Sequence, residues 1–277
     1  MSARRLAAAA GALLLAGGLA GCGAAADGAG AASAGSRTAS PTARHGDALV
    51  ADMTRAMARA KSARVTISSA FGRQRVTGRG SFRFGSALAA DLSVALPGQG
   101  EVRVVLLPAA CYLRLPAAAG LPVATPWLKI GRTGDDALST AFGPLLDQLR
   151  QSFDPDGYLA LLGATSRLTP TGRRDVDGVS TTRYAATVDL ATAARLAGGS
   201  LARHYEALLR TGVTSLRYTL WVDGKSLPRK FSTTVATGHA TVVVSSKFAD
   251  WGRPVSIRAP SADRVAAPGQ LGSPERG

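Results

Sequence analysis

The residue with the clearest chemical task is Cys22, which ends the run Leu-Ala-Gly-Cys at 19–22. Two arginines and an apolar stretch at 6–20 precede it, and this order is typical of a lipoprotein signal. A cysteine thiolate at such a site is the nucleophile that accepts a diacylglyceryl group. The apolar stretch is shorter than the roughly 20 residues that a helix needs to cross a bilayer. We therefore expect cleavage before Cys22; the alternative is an ordinary secretory signal with a coincidental cysteine.

Acylation of Cys22 predicts a protein anchored on the extracytoplasmic face of the cell membrane, because two or three acyl chains bind far more firmly than one. The other cysteine of the chain is Cys111. With Cys22 lipidated, no intramolecular disulfide is possible. Cys111 lies in an apolar, strand-like stretch, so we interpret it as a small buried hydrophobic residue rather than a reactive thiol.

A search for catalytic or metal-binding patterns finds little. The three histidines are His45, His204 and His239, and none stands in a His-Glu-x-x-His arrangement. The stretches 154–157 and 175–178 resemble calcium loops but lack the distant glutamate, so a helix cap and a turn explain them better. There is no Gly-x-Ser-x-Gly motif and no phosphate-binding loop. The sequence predicts no metal, no cofactor and no enzymatic activity. A hydrolase is kept as an alternative hypothesis.

The charge balance is strongly basic, with 33 Lys and Arg against 18 Asp and Glu and a net charge of +15. A basic chain raises the question of nucleic acid. The predicted location outside the cell argues against that partner, and the basic residues are dispersed along the chain. Two interpretations stay open: a solvated basic face, or attraction to anionic lipid headgroups or wall polymers.

The composition divides the chain into four parts. Residues 1–21 are the predicted signal peptide, and 22–44, rich in Ala, Gly, Ser and Thr, form a flexible tether. Residues 45–260 carry the periodic apolar patterns of one folded domain. Residues 261–277 have the character of a disordered tail.

Within the domain, apolar residues recur at helical spacing over 49–60, 135–151, 154–162 and 190–210, the last split at 198–199. Period-two alternation predicts strands at 75–84, 88–96, 102–106, 180–188, 216–222, 229–237 and 240–248. Grouped helices beside many such strands indicate an α+β domain with a large antiparallel sheet. We expect so wide a sheet to curl, with the helices covering its inner face.

The alternation predicts which side chains line that inner face. The predicted wall comprises Leu92, Val94, Val104, Leu106, Tyr184, Leu220, Phe231 and Val235. The predicted roof comprises Leu145, Leu149, Leu161 and Leu162. The proline-rich stretch 116–126 is expected at the rim as a gate. Small aliphatic walls suit acyl chains, which need area and few directional bonds; alternatively, the helices fill the space as an ordinary core.

Several short motifs follow one another in a familiar order. They are Pro-Trp-Leu-Lys-Ile at 126–130, Asp-Pro at 154–155, Asp-Gly-Val-Ser-Thr-Thr-Arg-Tyr at 177–184, Trp-Val-Asp-Gly at 221–224, Leu-Pro-Arg-Lys at 227–230 and Trp-Gly-Arg-Pro-Val at 251–255. Together with the cysteine motif, this order resembles the actinobacterial LppX/LprA/LprF/LprG lipoproteins over roughly 45–265.

The resemblance implies a LolA/LolB-like fold, a half-open antiparallel barrel covered on its concave side by helices. It also implies binding, and transport across the cell envelope, of an acylated lipid or glycolipid. We expect a monomer held at the membrane by its lipid anchor, with no nucleic-acid partner and an unknown envelope transporter partner. The alternative is a surface-acting binding or assembly lipoprotein with a filled core.

Overall fold

The computed structural model describes residues 41–71, 74–85, 88–116, 127–131, 168–197, 199–236 and 241–266. The helices are α1 (Pro41–Ala60), α2 (Leu190–Leu196) and α3 (Gly199–Arg210), followed by a short 3₁₀ helix (Ala262–Arg264). The first six strands are β1 (Ser62–Phe71), β2 (Gln74–Arg83), β3 (Ala89–Leu96), β4 (Gly100–Leu106), β5 (Ala110–Arg114) and β6 (Trp127–Gly131). The last five are β7 (Thr169–Val176), β8 (Val179–Asp189), β9 (Ser215–Asp223), β10 (Pro228–Ala236) and β11 (Thr241–Ala249).

All eleven strands form one antiparallel sheet in the order β6-β5-β4-β3-β2-β1-β11-β10-β9-β8-β7. Neighbours in sequence are mostly neighbours in space, as short turns favour. The long-range exception joins β1 to β11, from Arg64 opposite Ala249 to Phe71 opposite Val242. Among the described strands, β6 and β7 each have one strand partner, so the sheet is open rather than closed.

The seven strands predicted from alternation are all present, with ends that differ by one or two residues. The sheet also contains β1, β6 and β7, for which the sequence analysis named no strand. Strand β7 has an exposed Thr-Pro-Thr-Gly-Arg-Arg-Asp run, with only Val176 buried, so it shows no apolar alternation. The predicted break at 198–199 is confirmed, because α2 ends at Leu196 and α3 begins at Gly199.

The described structure extends beyond the predicted domain limits at both ends. Helix α1 begins at Pro41, and the chain remains bonded to the sheet at its other end, where Ala266 N–H donates to Trp127 O at 2.8 Å. Lys61 ends α1 in the left-handed region, with φ 65°, and its N–H donates to Met57 O. This reversal leads directly into β1.

One face of the sheet carries two buried apolar clusters. In the first, which we call the helix-packed cluster, Met53 and Met57 of α1, Ala193 of α2 and Tyr205 of α3 pack with residues of β8, β9 and β10. The second, the aliphatic cluster, consists of Val65, Ile67, Phe82, Ala90, Leu92, Val94, Leu96, Val102, Val104, Leu106, Cys111, Ile130, Val242 and Val244.

The opposite, polar face is covered locally by the chain after β11. There Trp127 and Val105 pack with Ile257, and Val265 forms a bridge with Trp127. Within the part of the chain that the structure describes, no helix is both long and apolar enough to cross a membrane.

Candidate functional site

The strand registers place the eight predicted wall residues on one face of the sheet. Directly paired positions of neighbouring strands share a face. One such row runs across eight strands through Val102, Val94, Gly78, Ile67, Ser246, Phe231, Leu220 and Tyr184. The remaining wall residues stand at even spacing from members of this row on the same strands. The period-two argument therefore identified the apolar side of β3, β4, β8, β9 and β10 correctly.

The same eight residues divide between the two clusters. Leu92, Val94, Val104 and Leu106 belong to the aliphatic cluster, and each is at most 2% exposed. Leu220 and Phe231 belong to the helix-packed cluster, and Tyr184 lies half-buried against it. Val235 contacts both clusters. The predicted wall residues thus form two sets on the same face, one on β3 and β4 and one on β8 to β10, with β2, β1 and β11 between them. The surroundings of the two sets differ.

The helix-packed half has the composition of an ordinary core. The Tyr218 and Phe231 rings lie 5.5 Å apart, and both side chains are buried with Met53 and Tyr205. Burial, and secondarily the nearby Tyr205, raises the pKa of the Tyr218 hydroxyl well above its ordinary value. Three buried aromatic side chains, Tyr205, Tyr218 and Phe231, thus pack here among aliphatic ones.

The aliphatic half is built mainly from short side chains. Its described members come from strands β1 to β6 and β11, and most are Val, Ala or Leu. Cys111 is among them at 1% exposure, which confirms its interpretation as a small buried residue. Such a surface offers contact area without directional bonds, which is what an acyl chain requires.

Several residues of this half were not predicted. Val65 and Ile67 lie on β1, and Ile130 lies on β6. Alternating Ala63, Val65 and Ile67 would have indicated β1, but serines at 68 and 69 interrupt the pattern.

Two glycines of β2 lie in the aliphatic half. Gly80 is paired with Leu92, and Gly78 with Val94. A Cβ built on Gly80 would lie 2.5 Å from Leu92 Cδ2 and 3.0 Å from Leu92 Cα. The absence of side chains here allows the neighbouring strand to approach, as at a bend of a curved sheet.

Other predicted site residues lie outside the described residues. They are the lipidation site Cys22, the roof residues Leu145, Leu149, Leu161 and Leu162, and all of the rim stretch 116–126 except Pro116. Pro116 itself is half-buried. These remain predictions.

Two of the sequence motifs, at 177–184 and 251–255, contribute turn and packing contacts to the fold. Asp177 and Gly178 form the β7–β8 turn with φ of 51° and 81°, as a type I′ turn requires, and Gly178 N–H donates to Asp175 Oδ1 at 2.8 Å. The Trp251 indole N–H donates to Pro228 O at 3.0 Å. No group of three His, Cys, Asp or Glu side chains in the described ranges could hold a metal ion.

Comparison with known proteins gives one curated relative and several solved structures. No family model matches the chain. An uncharacterized 31.2 kDa protein of Streptomyces griseus, from the rplA-rplJ intergenic region, is 30% identical over 141 residues. The match covers 49% of this chain and 46% of that protein, so the chain matches about half the length of its curated relative.

Among solved structures, the Mycobacterium tuberculosis lipoprotein LppX is similar at TM-score 0.49 and 16% identity, covering 76% of this chain and 99% of that chain. LprF from Mycobacterium bovis is similar at TM-score 0.47 and 16% identity, covering 79% and 98%. MucB in complex with MucA gives TM-score 0.41 and 14% identity, covering 80% and 61%. LppX and LprF carry names of the family that the sequence motifs resemble.

Proposed function

We propose that this protein is an extracytoplasmic, membrane-anchored lipoprotein that binds an acylated lipid or glycolipid on the aliphatic half of its sheet and carries it within the cell envelope. The observation that supports this most is the difference between the two halves. Three helices pack against one half, whereas the described members of the aliphatic cluster all belong to strands. A broad strand surface of short apolar side chains is suited to acyl chains.

The energetics of such binding come from area rather than from polar groups. Each methylene that leaves water contributes about 0.8 kcal/mol. Leu92, Val94, Val104 and Leu106 are buried side by side with other apolar side chains. The ligand's polar head would therefore stay at the rim while its chains lie along the strands.

The proposed ligand needs a cover over the aliphatic half. We assign this role to the predicted helices at 135–151 and 154–162, which would close the concave side with Leu145, Leu149, Leu161 and Leu162. The stretch 116–126 would form the gate. Acylation of Cys22 would hold the domain at the membrane from which the lipid is taken.

Substitution by tryptophan tests the proposed wall. Val94→Trp and Leu106→Trp would occupy ligand space, so we expect uptake of a fluorescent acyl probe to fall severalfold while the melting temperature changes little. Leu220→Trp, in the helix-packed half, is the matched control. There the added bulk should destabilise the fold by about 1–3 kcal/mol.

Organic extraction of the purified Cys22→Ser protein provides the second measurement. Lipid that co-purifies at about one molecule per chain is expected. No extracted lipid together with no probe uptake would contradict the proposal and favour a filled core, in which the protein acts through its surface. Marked destabilisation by Val94→Trp with unchanged uptake would place Val94 in an ordinary core.

A further inference from the structure

The polar face of the sheet carries its own continuous row of side chains. It runs through Trp127, Arg114, Arg103, Ser93, Arg79, Thr66, Lys247, Lys230, Trp221 and Arg183. Six of these are cations, and a tryptophan lies at or near each end of the row. The two ends differ in how their charge is balanced.

At the Trp127 end, the charges are neutralised and the ring is covered. The Arg103 guanidinium makes two hydrogen bonds to the Asp91 carboxylate, at 2.9 and 2.7 Å. Arg114 donates to Glu101 at 2.8 Å. Trp127 is 5% exposed beneath the chain that follows β11. The charged groups at this end therefore stabilise the fold and are not available to a ligand.

At the Trp221 end, two cations flank a half-buried ring. The Lys230 Nζ lies 4.6 Å from the ring centroid, and the Arg183 guanidinium lies 5.8 Å from it. Neither cation has an ion-pair partner among the described residues. Arg183 donates to the Thr171 hydroxyl at 3.1 Å. The ring therefore holds two charges in place without neutralising them.

A shallow groove of about 390 Å³ surrounds this ring. Its charged lining side chains are Arg174, Arg183, Lys230, Lys247, Asp175 and Asp177. Four cations against two carboxylates leave a net charge of +2. Asp177 is paired with Lys247 at 2.7 Å, but both side chains are about half or more exposed, so water screens that pair.

The groove lies at one end of the sheet, close to the β7–β8 turn and the β9–β10 turn, where Lys225 is also exposed. We propose that this groove docks the domain onto the phosphate groups of an anionic bilayer. The groove cations are exposed (Arg174 and Lys247) or half-buried (Arg183 and Lys230). At a sheet end they can reach several phosphates on one surface at once, whereas a small soluble anion is better held in an enclosed pocket. Tryptophan beside lysine and arginine is common at membrane–water interfaces. The inference concerns the face opposite the proposed lipid wall.

Vesicle co-sedimentation tests the docking surface. The full chain with Cys22→Ser is mixed with phosphatidylcholine vesicles, with or without 30% phosphatidylglycerol. We expect binding to the anionic vesicles only. The double substitution Arg183→Gln and Lys230→Gln should weaken that binding roughly tenfold or more. The control pair Arg59→Gln and Arg210→Gln removes the same charge from exposed helix ends and should change binding less than about twofold.

Equal loss in the two double variants would overturn the proposal, because net charge alone would then explain binding. Competition by millimolar inorganic phosphate, with no preference for vesicles, would overturn it in favour of a small-anion site. Unchanged melting temperatures establish that the variants fold. Val94→Trp should still sediment with anionic vesicles, and the groove variant should still take up the acyl probe, so failure of either function can be told apart.

Discussion

At the scale of single residues, Asp223 illustrates how a buried charge fixes a turn. One carboxylate oxygen accepts from the backbone N–H groups of Lys225 and Leu227, at 2.8 and 3.0 Å. The other accepts from Arg229 Nε at 2.8 Å. The Asp223 side chain is only 5% exposed. It satisfies three donors that the β9–β10 connection would otherwise leave unpaired.

Asp223→Ala should therefore destabilise the protein by about 3 kcal/mol or more, because Arg229 and two backbone donors lose their acceptor in a mostly buried setting. Asp175→Ala is the control: that exposed carboxylate accepts one backbone bond at the β7–β8 turn, and its loss should cost less than about 1 kcal/mol. Urea unfolding of both variants provides the comparison. If both variants lost the same free energy of unfolding, burial of Asp223 would add nothing to the strength of its hydrogen bonds.

The N-cap of α2 gives a pH-dependent prediction. Asp189 accepts a hydrogen bond from Thr192 N–H at 2.7 Å, and this bond lowers the pKa of Asp189 below its ordinary value of 3.8. A lowered folded-state pKa means that the stabilisation is present above pH 3.8 and is lost as the pH falls through the folded-state value.

Asp189→Ala should lower the melting temperature at pH 6, and the difference from the parent protein should shrink in strongly acidic solution. Asp189→Asn keeps a capping oxygen without titration, so its difference from Asp189→Ala should not shrink in this way. Thermal melts across that pH range measure both. A difference between parent and Asp189→Ala that stays constant with pH would contradict the assignment.

At the scale of elements, strand β2 has a tight steric constraint at two of its glycines. Its glycines at 78 and 80 lie on the apolar face, opposite buried side chains of β1 and β3: Gly78 between Ile67 and Val94, and Gly80 between Val65 and Leu92. A Cβ at Gly78 would lie 3.1 Å from Ser93 O, a closer contact than usual, and the approach at Gly80 is closer still. Strand β2 therefore depends on glycine for its distance from β3.

Gly80→Ala should destabilise the sheet by about 1–3 kcal/mol, since the methyl group collides with the backbone of β3. Gly78→Ala should cost less. Gly224→Ala is the control, because a Cβ there meets nothing within 4 Å. Chemical denaturation gives the three values, and a Gly80→Ala protein as stable as the control would show that β2 and β3 can separate without loss.

At the scale of the whole molecule, the sheet has three different surfaces: a helix-packed half, an aliphatic half and a polar face with an open basic groove. The proposed function uses the aliphatic half for the ligand, and the separate docking proposal uses the basic groove for the membrane. The anchor at Cys22 would keep both near a bilayer through the predicted tether.

The anchor itself is testable in the intact cell. Cys22→Ser should move the protein from the membrane fraction to the soluble extracytoplasmic fraction and abolish the mass added by acyl chains. Detergent-phase partitioning and mass spectrometry of the mature protein measure this. Ser36→Ala, in the tether, should leave both unchanged. Unaltered partitioning of Cys22→Ser would contradict the lipid-anchor proposal.

The sequence alone determined the apolar side of most strands, because side chains of a strand alternate between two faces whatever the strand pairs with. It also indicated the split between α2 and α3, since glycine at 198–199 disfavours helix. It missed β7, whose exposed edge position requires no apolar pattern. It missed β1 because serines interrupt the alternation.

Only the tertiary structure decided which wall residues belong to the same buried cluster. Leu92 and Leu220 have the same pattern in sequence, yet one lies in the aliphatic cluster and the other beneath helices. The pairing of β1 with β11 decides this, because it joins two separately predicted sets of strands into one sheet. The basic groove likewise arises from register. Arg183 is distant in sequence from Trp221 and Lys230, and the three meet because neighbouring strands place them opposite one another.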